Sequence, residues 1–86
     1  MELRLTDTAK EDIRFFTRSG QSHIVKRIEK LLNSITETPF SGIGKPEPLK
    51  HEYSGKWSRR IDSEHRLIYS IEGETIYVYS AKGHYQ

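Results

Sequence analysis

The chain has 86 residues, 34% of them hydrophobic, with 14 Lys and Arg against 12 Asp and Glu and no cysteine. That length supports one small core, and hence a single domain over residues 1–86. The absent cysteines exclude a disulfide framework and thiolate metal sites, and no segment resembles a signal peptide or a membrane span, so a cytoplasmic protein off the membrane is expected.

Glu2–Leu5 alternates polar and apolar residues, as a short strand does. Thr6 or Asp7 can cap the next segment, in which Ala9, Ile13 and Phe16 share one helical face, and Gly20 stops it. From Ser22, the residues Ile24, Val25, Ile28, Leu31, Leu32 and Ile35 follow amphipathic helical spacing until Thr38-Pro39. After a Gly- and Pro-rich loop over 40–48 the period changes to that of strands, at Leu49–Tyr53, Lys56–Ile61, Arg66–Ile71 and Thr75–Lys82. Ser54-Gly55, Asp62-Ser63-Glu64 and Glu72-Gly73 read as hairpin turns, which require antiparallel neighbours. The fold class is therefore α+β: an N-terminal strand, then a two-helix hairpin packed on one face of a twisted antiparallel sheet.

A three-residue turn at 62–64 places Arg60 opposite Arg66, and Trp57, Ile61, Leu67, Tyr69 and Ile71 then face the helices together with Ile76 and Val78. The opposite face receives Ser58, Arg60, Arg66, Ile68, Ser70, Tyr77 and Tyr79. Strict alternation would send His84 to the core side; a bulge at Gly83, or an equivalent break, would turn it toward Arg66 and Tyr79.

Six basic residues lie between Lys45 and Arg66 (Lys45, Lys50, Lys56, Arg59, Arg60 and Arg66), interleaved with Tyr53 and Trp57. That composition suits a phosphate backbone and equally suits a solvated sheet face. Glu47, between two prolines, sits on a stiff extended loop. His23, His51, His65 and His84 have no metal-ligand spacing, and there is no dinucleotide or P-loop glycine pattern. A Glu, a His and an Arg are the residue types for metal-free RNA cleavage, where the substrate's 2′-hydroxyl attacks its own phosphate and the protein supplies base, acid and cation.

The runs Gly44-Lys45-Pro46-Glu47-Pro48-Leu49-Lys50-His51, Ser54-Gly55, Trp57-Ser58-Arg59-Arg60-Ile61 and Glu64-His65-Arg66-Leu67-Ile68-Tyr69, with the closing Ser80-Ala81-Lys82 and His84-Tyr85, resemble the Txe/YoeB toxins of the RelE-like superfamily. The resemblance implies a RelE-like fold and the toxin of a bacterial toxin–antitoxin pair, a ribosome-dependent mRNA endonuclease that cuts A-site codons without metal or cofactor. Carried over by position, Glu47 is the general base, Arg66 stabilises the transition state, His84 is the general acid and Tyr85 positions the RNA. Lys50 and Arg60 hold phosphates, with Lys45 and Arg59 beside them in the basic run. Implied partners are a cognate antitoxin, the ribosome and its mRNA, and operator DNA through the antitoxin complex; a homodimer is also compatible. Two other readings fit the residues: a non-catalytic RNA- or ribosome-binding domain, and a corepressor acting mainly with an antitoxin on operator DNA.

Overall fold

Thr6 starts the first helix. Its hydroxyl accepts the Ala9 N–H, and Asp7 adds negative charge to the first turn of α1 (Asp7–Arg18) in the computed structural model, which describes residues 1–83. The same hydroxyl donates to the Tyr79 carbonyl at 2.8 Å, so the cap also ties the helix to the last strand. Helix α2 (Ser22–Glu37) begins without a side-chain cap and ends at Thr38, before Pro39. No helix among the described residues is long and apolar enough to cross a membrane.

Five strands form one sheet: β1 (Glu2–Leu5), β2 (Glu47–Pro48), β3 (Trp57–Arg60), β4 (Arg66–Glu72) and β5 (Thr75–Ser80), in the spatial order β1-β5-β4-β3-β2. The α+β class expected from the sequence holds, with one correction: the sheet is mixed. β1 runs parallel to β5, pairing Leu3 with Ile76 and Leu5 with Val78, whereas the other pairs are antiparallel. Parallel neighbours need a crossover, and the helices supply it.

The turn at 62–64 has the expected register, Arg60 opposite Arg66, and Asp62 closes it by accepting the Glu64 and His65 N–H groups at 2.8 and 2.7 Å. The next hairpin turns at Gly73-Glu74, one residue later than expected, with Glu72 opposite Thr75. Moving a two-residue turn by one changes the pairing by two, so every side chain keeps its face. Leu49–Tyr53 is not a strand. His51 adopts φ +58°, residues His51–Tyr53 form a single 3₁₀ turn, and the extended pairing lies earlier, at Glu47–Pro48.

A register shift between Ile68 and Tyr69 marks the break in β5: Tyr69 pairs with Val78 and Ile68 with Ser80, leaving Tyr79 as the extra residue. The expected interruption thus falls four residues before Gly83. Past it the alternation is reversed, and Ala81, not Ser80, is fully buried in the core.

The helix-side core joins Ala9, Phe16, Ile24, Ile28, Leu31 and Ile35 to Ile61, Leu67, Tyr69, Ile76, Val78 and Ala81, with Trp57 and Ile71 packed against it. Burying each large aliphatic or aromatic side chain contributes about 1.5–3 kcal/mol. One member of this layer is charged. Arg59, opposite Leu67, is 0% exposed.

Candidate functional site

The loop before β2 is moulded on Arg59. Its guanidinium donates to five neutral oxygens: Nε to the Tyr69 hydroxyl (3.1 Å), Nη1 to Ser34 Oγ (2.7 Å) and the Ile43 carbonyl (3.1 Å), and Nη2 to the Thr38 (2.6 Å) and Ser41 (2.7 Å) carbonyls. Thr38 caps the C-terminal end of α2, the negative end of the helix dipole, where a cation is favoured. Tyr69 passes the tie on by donating to the Pro39 carbonyl at 2.7 Å. Burial pushes its phenol above the ordinary pKa, against the lowering influence of Arg59. Gly44 lies at φ +83° against this cluster; a Cβ there would fall 2.7 Å from Leu31 Cδ2 and 3.1 Å from Arg59 Cβ. Its carbonyl accepts the Arg60 N–H at 2.7 Å, which lays the loop along β3 and delivers Glu47 to the sheet.

Arg59 is therefore corrected as an RNA-binding candidate. Its parity with Trp57 and Ile61 places it on the helix side, and its donors are occupied inside the protein.

Glu47 and Arg66 come together. Glu47 pairs with Ser58, Ser58 with Ile68 and Arg60 with Arg66, so Glu47, Arg60 and Arg66 lie on the sheet face turned away from the helices. Arg66 Nη1 is 3.5 Å from Glu47 Oε1, with the Arg66 side chain 19% exposed and that of Glu47 54% exposed. One long contact in partial solvent contributes about 0–1 kcal/mol. A carboxylate and a guanidinium are thus held side by side at a surface for little stabilising return. Lys45 and Lys50, two and three residues from Glu47, and Arg60, opposite Arg66, are exposed, with Lys45 at φ +50°.

The face is less open than its sequence implies. Ser58, Ile68 and Ser70 are buried, as is Leu49, although none belongs to the helix-side cluster. Tyr79 reaches over Ser70 with its hydroxyl 2.8 Å from Ser70 Oγ, and the Lys56 ammonium sits 4.3 Å from the Tyr79 ring centroid. Ser58 Oγ, beside Glu47 in the register, is buried without a hydrogen-bond partner among the described residues.

The chain beyond the bulge is tethered at successive residues. The Ala81 N–H donates to Asp12 Oδ2 at 2.9 Å, and the Lys82 ammonium stands 3.9 Å from the Phe15 ring centroid. At Gly83 the N–H donates to His65 Nδ1 at 2.8 Å, and the carbonyl accepts the Arg66 N–H at 3.0 Å. His84 and Tyr85, the acid and positioning candidates, lie outside the described residues. His65 and Asp12 went unassigned in the sequence because their contacts depend on where the strand goes after the bulge.

With this geometry in place, the chain can be set beside known proteins. A family profile, the YoeB-like toxin of bacterial type II toxin-antitoxin system, matches residues 5–85. The chain belongs to that family. A Toxin YoeB from Synechocystis sp. is 44% identical over 86 residues, covering 100% of this chain and 99% of the relative. Among solved structures, a YoeB/ParE toxin from Agrobacterium tumefaciens superposes with TM-score 0.95 at 39% identity, covering 99% of this chain and 100% of that one. A YoeB-YefM toxin-antitoxin complex from Staphylococcus aureus, a heterotetramer, matches with TM-score 0.89 at 40% identity, covering 99% and 98%. The S. aureus YoeB has also been solved as a dimer, TM-score 0.90 at the same identity and coverage. The YoeB-like match includes the Glu47 loop, the Arg66 strand and the residues past Gly83 in one continuous span.

Proposed function

We propose that this type II toxin is a ribosome-dependent mRNA endoribonuclease that cuts A-site codons and so stops translation. The observation that carries the reading is the Glu47–Arg66 contact of 3.5 Å, with Lys45 and Lys50 exposed on the flanking loop and Arg60 exposed opposite Arg66. Glu47 takes the proton of the 2′-hydroxyl as its oxygen bonds to the adjacent phosphorus. Arg66 bears the charge that builds on the phosphoryl oxygens. His84 gives its proton to the 5′-oxygen as the P–O5′ bond breaks, leaving a 2′,3′-cyclic phosphate and a 5′-hydroxyl. Tyr85 positions the RNA, and Lys45, Lys50 and Arg60 hold its phosphates.

The guanidinium carries five N–H donors, of which Glu47 engages one through a long contact, so Arg66 can turn toward a phosphate without dismantling the sheet. The proposal keeps the whole chain as one domain working in the cytoplasm. It has a cognate antitoxin and a homodimer as partners, since the S. aureus relative has been solved both in a YefM complex and as a dimer. Operator DNA would be reached through the antitoxin complex.

The experiment is expression of the toxin with and without substitutions. The wild type arrests growth, and Glu47→Ala, Arg66→Ala and His84→Ala each relieve the arrest while the folded chain accumulates. Normal growth with the wild type would overturn the proposal. Protection of A-site codons without cuts, in a translation reaction, would replace it with the non-catalytic binding reading.

A further inference from the structure

We propose that His65 is a positioning residue for this reaction: its Nδ1 clamps Gly83 and thereby sets the point from which the His84-Tyr85 segment begins. The inference rests on the acid and RNA-positioning roles proposed for those two residues, and it concerns a side chain to which no role has been given.

A backbone N–H can only donate, so the 2.8 Å contact from Gly83 makes His65 Nδ1 the acceptor. The ring must then carry its proton on Nε2. Two features hold the imidazole in that pose. The Asp62 carboxylate accepts the His65 N–H at 2.7 Å and fixes the backbone of the turn, and the buried Phe16 ring packs edge-on against the imidazole at 4.9 Å and 71°. The neighbouring residue completes the clamp, because the Arg66 N–H donates to the Gly83 carbonyl at 3.0 Å. Both polar groups of Gly83 are thus held by consecutive residues, the second of which presents its side chain to Glu47.

This arrangement makes chemical sense of the strand's irregular end. Past the bulge at Tyr79 the ladder ends with the Ile68–Ser80 pair, so the residues beyond Ser80 are held by other contacts. Without His65, Gly83 would keep a single backbone bond to β4, and its N–H would lose the partner that fixes its direction. Misplacing a reacting group by about 1 Å costs on the order of a hundredfold in rate.

Two amide substitutions separate positioning from general structural support. In Asn the side-chain oxygen can occupy the place of Nδ1; in Gln the oxygen reaches the place of Nε2. His65→Gln is expected to lose protection of the Gly83 amide against hydrogen exchange and to lower the single-turnover cleavage rate by about ten- to a hundredfold with little change in KM. His65→Asn is expected to recover most of both losses. A third readout needs no variant: ¹⁵N NMR of the wild-type full chain should show Nδ1 of His65 unprotonated and hydrogen-bonded. Equal Gly83 protection and equal rates in the Asn and Gln variants would overturn the proposal, as would a proton on Nδ1 in the wild type. If the wild type cuts no mRNA, the proposed function fails, while the exchange and ¹⁵N results still decide whether His65 holds Gly83.

Discussion

Replacing Arg59 by methionine keeps an unbranched chain in the helix-side layer and deletes five hydrogen bonds of 2.6–3.1 Å. Single hydrogen bonds to a charged group contribute about 1.5–3 kcal/mol. Their plain sum overstates the effect, because bringing the guanidinium out of water opposes it. Exposed Thr38 and Ser41 can turn their carbonyls to solvent, whereas the Tyr69 hydroxyl, in a residue 0% exposed, loses its donor inside the core. Leaving a neutral buried acceptor without its donor costs about 1–3 kcal/mol, and the Tyr69 hydroxyl, Ser34 Oγ and the Ile43 carbonyl lose theirs together, for about 3 kcal/mol or more in all. A chain of this length has only about 4–13 kcal/mol of stability in all, at 0.05–0.15 kcal/mol per residue. In a domain this small each kcal/mol shifts the melting temperature by about 4–8 °C. Arg59→Met should therefore melt at least about 12 °C below the wild type by circular dichroism. Arg60→Met, one residue along and exposed, should stay within about 0.5 kcal/mol. Arg59→Lys should fall between them, since an ammonium has three donors on one point. If Arg59→Met and Arg60→Met melt together, Arg59 does not organise the Glu47 loop.

Further outcomes follow from the same contacts. Glu47→Gln should lower mRNA cleavage by about 10²–10⁴-fold while leaving the melting temperature nearly unchanged, because the lost ion pair is partly exposed and long. Ser58→Ala should leave stability unchanged or raise it, by at most about 1–3 kcal/mol, because the hydroxyl it removes is buried and unpaired among the described residues; a clear loss in thermal melts would mean that Ser58 has a partner. Gly44→Ala should destabilise, since the added carbon meets Leu31 and Arg59 at a left-handed φ, and urea titration would read the loss. The Tyr69 phenol is raised by burial, so the folded state holds its proton more tightly than the unfolded one. Its contribution is complete below about pH 10, where a free phenol ionises. It is lost as pH rises through the higher folded value. Denaturation from pH 8 to 11 should show that decline in the wild type and a flatter curve in Tyr69→Phe.

Much of this architecture is legible in the chain because helical and strand periods alternate cleanly. The Thr6 cap and the stop at Gly20, just past the Ser19 C-cap, bound α1, and the Asp62-Ser63-Glu64 turn gives the pairing of Arg60 with Arg66 directly. The face assignment survives a misplaced turn at Gly73-Glu74 because the displacement is two residues in pairing. Arg59 shows where charge misleads. Alternation through Trp57 and Ile61 puts position 59 inside, yet an arginine reads as a surface residue until its five acceptors, spread from Ser34 to Tyr69, are assembled by the fold. The parallel partner of β1 is likewise invisible locally, since Leu3 meets Ile76 of β5 only after both helices and three intervening strands have been laid down.

The candidate site was legible as residue types and less so as geometry. Glu47 between prolines signals a stiff loop, but its approach to Arg66 depends on a two-residue strand that propensity alone does not mark. The His65–Gly83 bond is further out of reach. It requires the bulge at Tyr79, and no glycine or proline announces that bulge at its own position.

The central claim is that the 2′-hydroxyl of the message is the nucleophile and Glu47 its base. It is tested most directly by a translating ribosome programmed with an mRNA carrying one 2′-deoxynucleotide, on the 5′ side of the bond cut in the A-site codon. The account predicts that the all-RNA message is cleaved to a 2′,3′-cyclic phosphate and a 5′-hydroxyl, while the deoxy-substituted message stays intact at that bond. Equal cleavage of the two messages would contradict it.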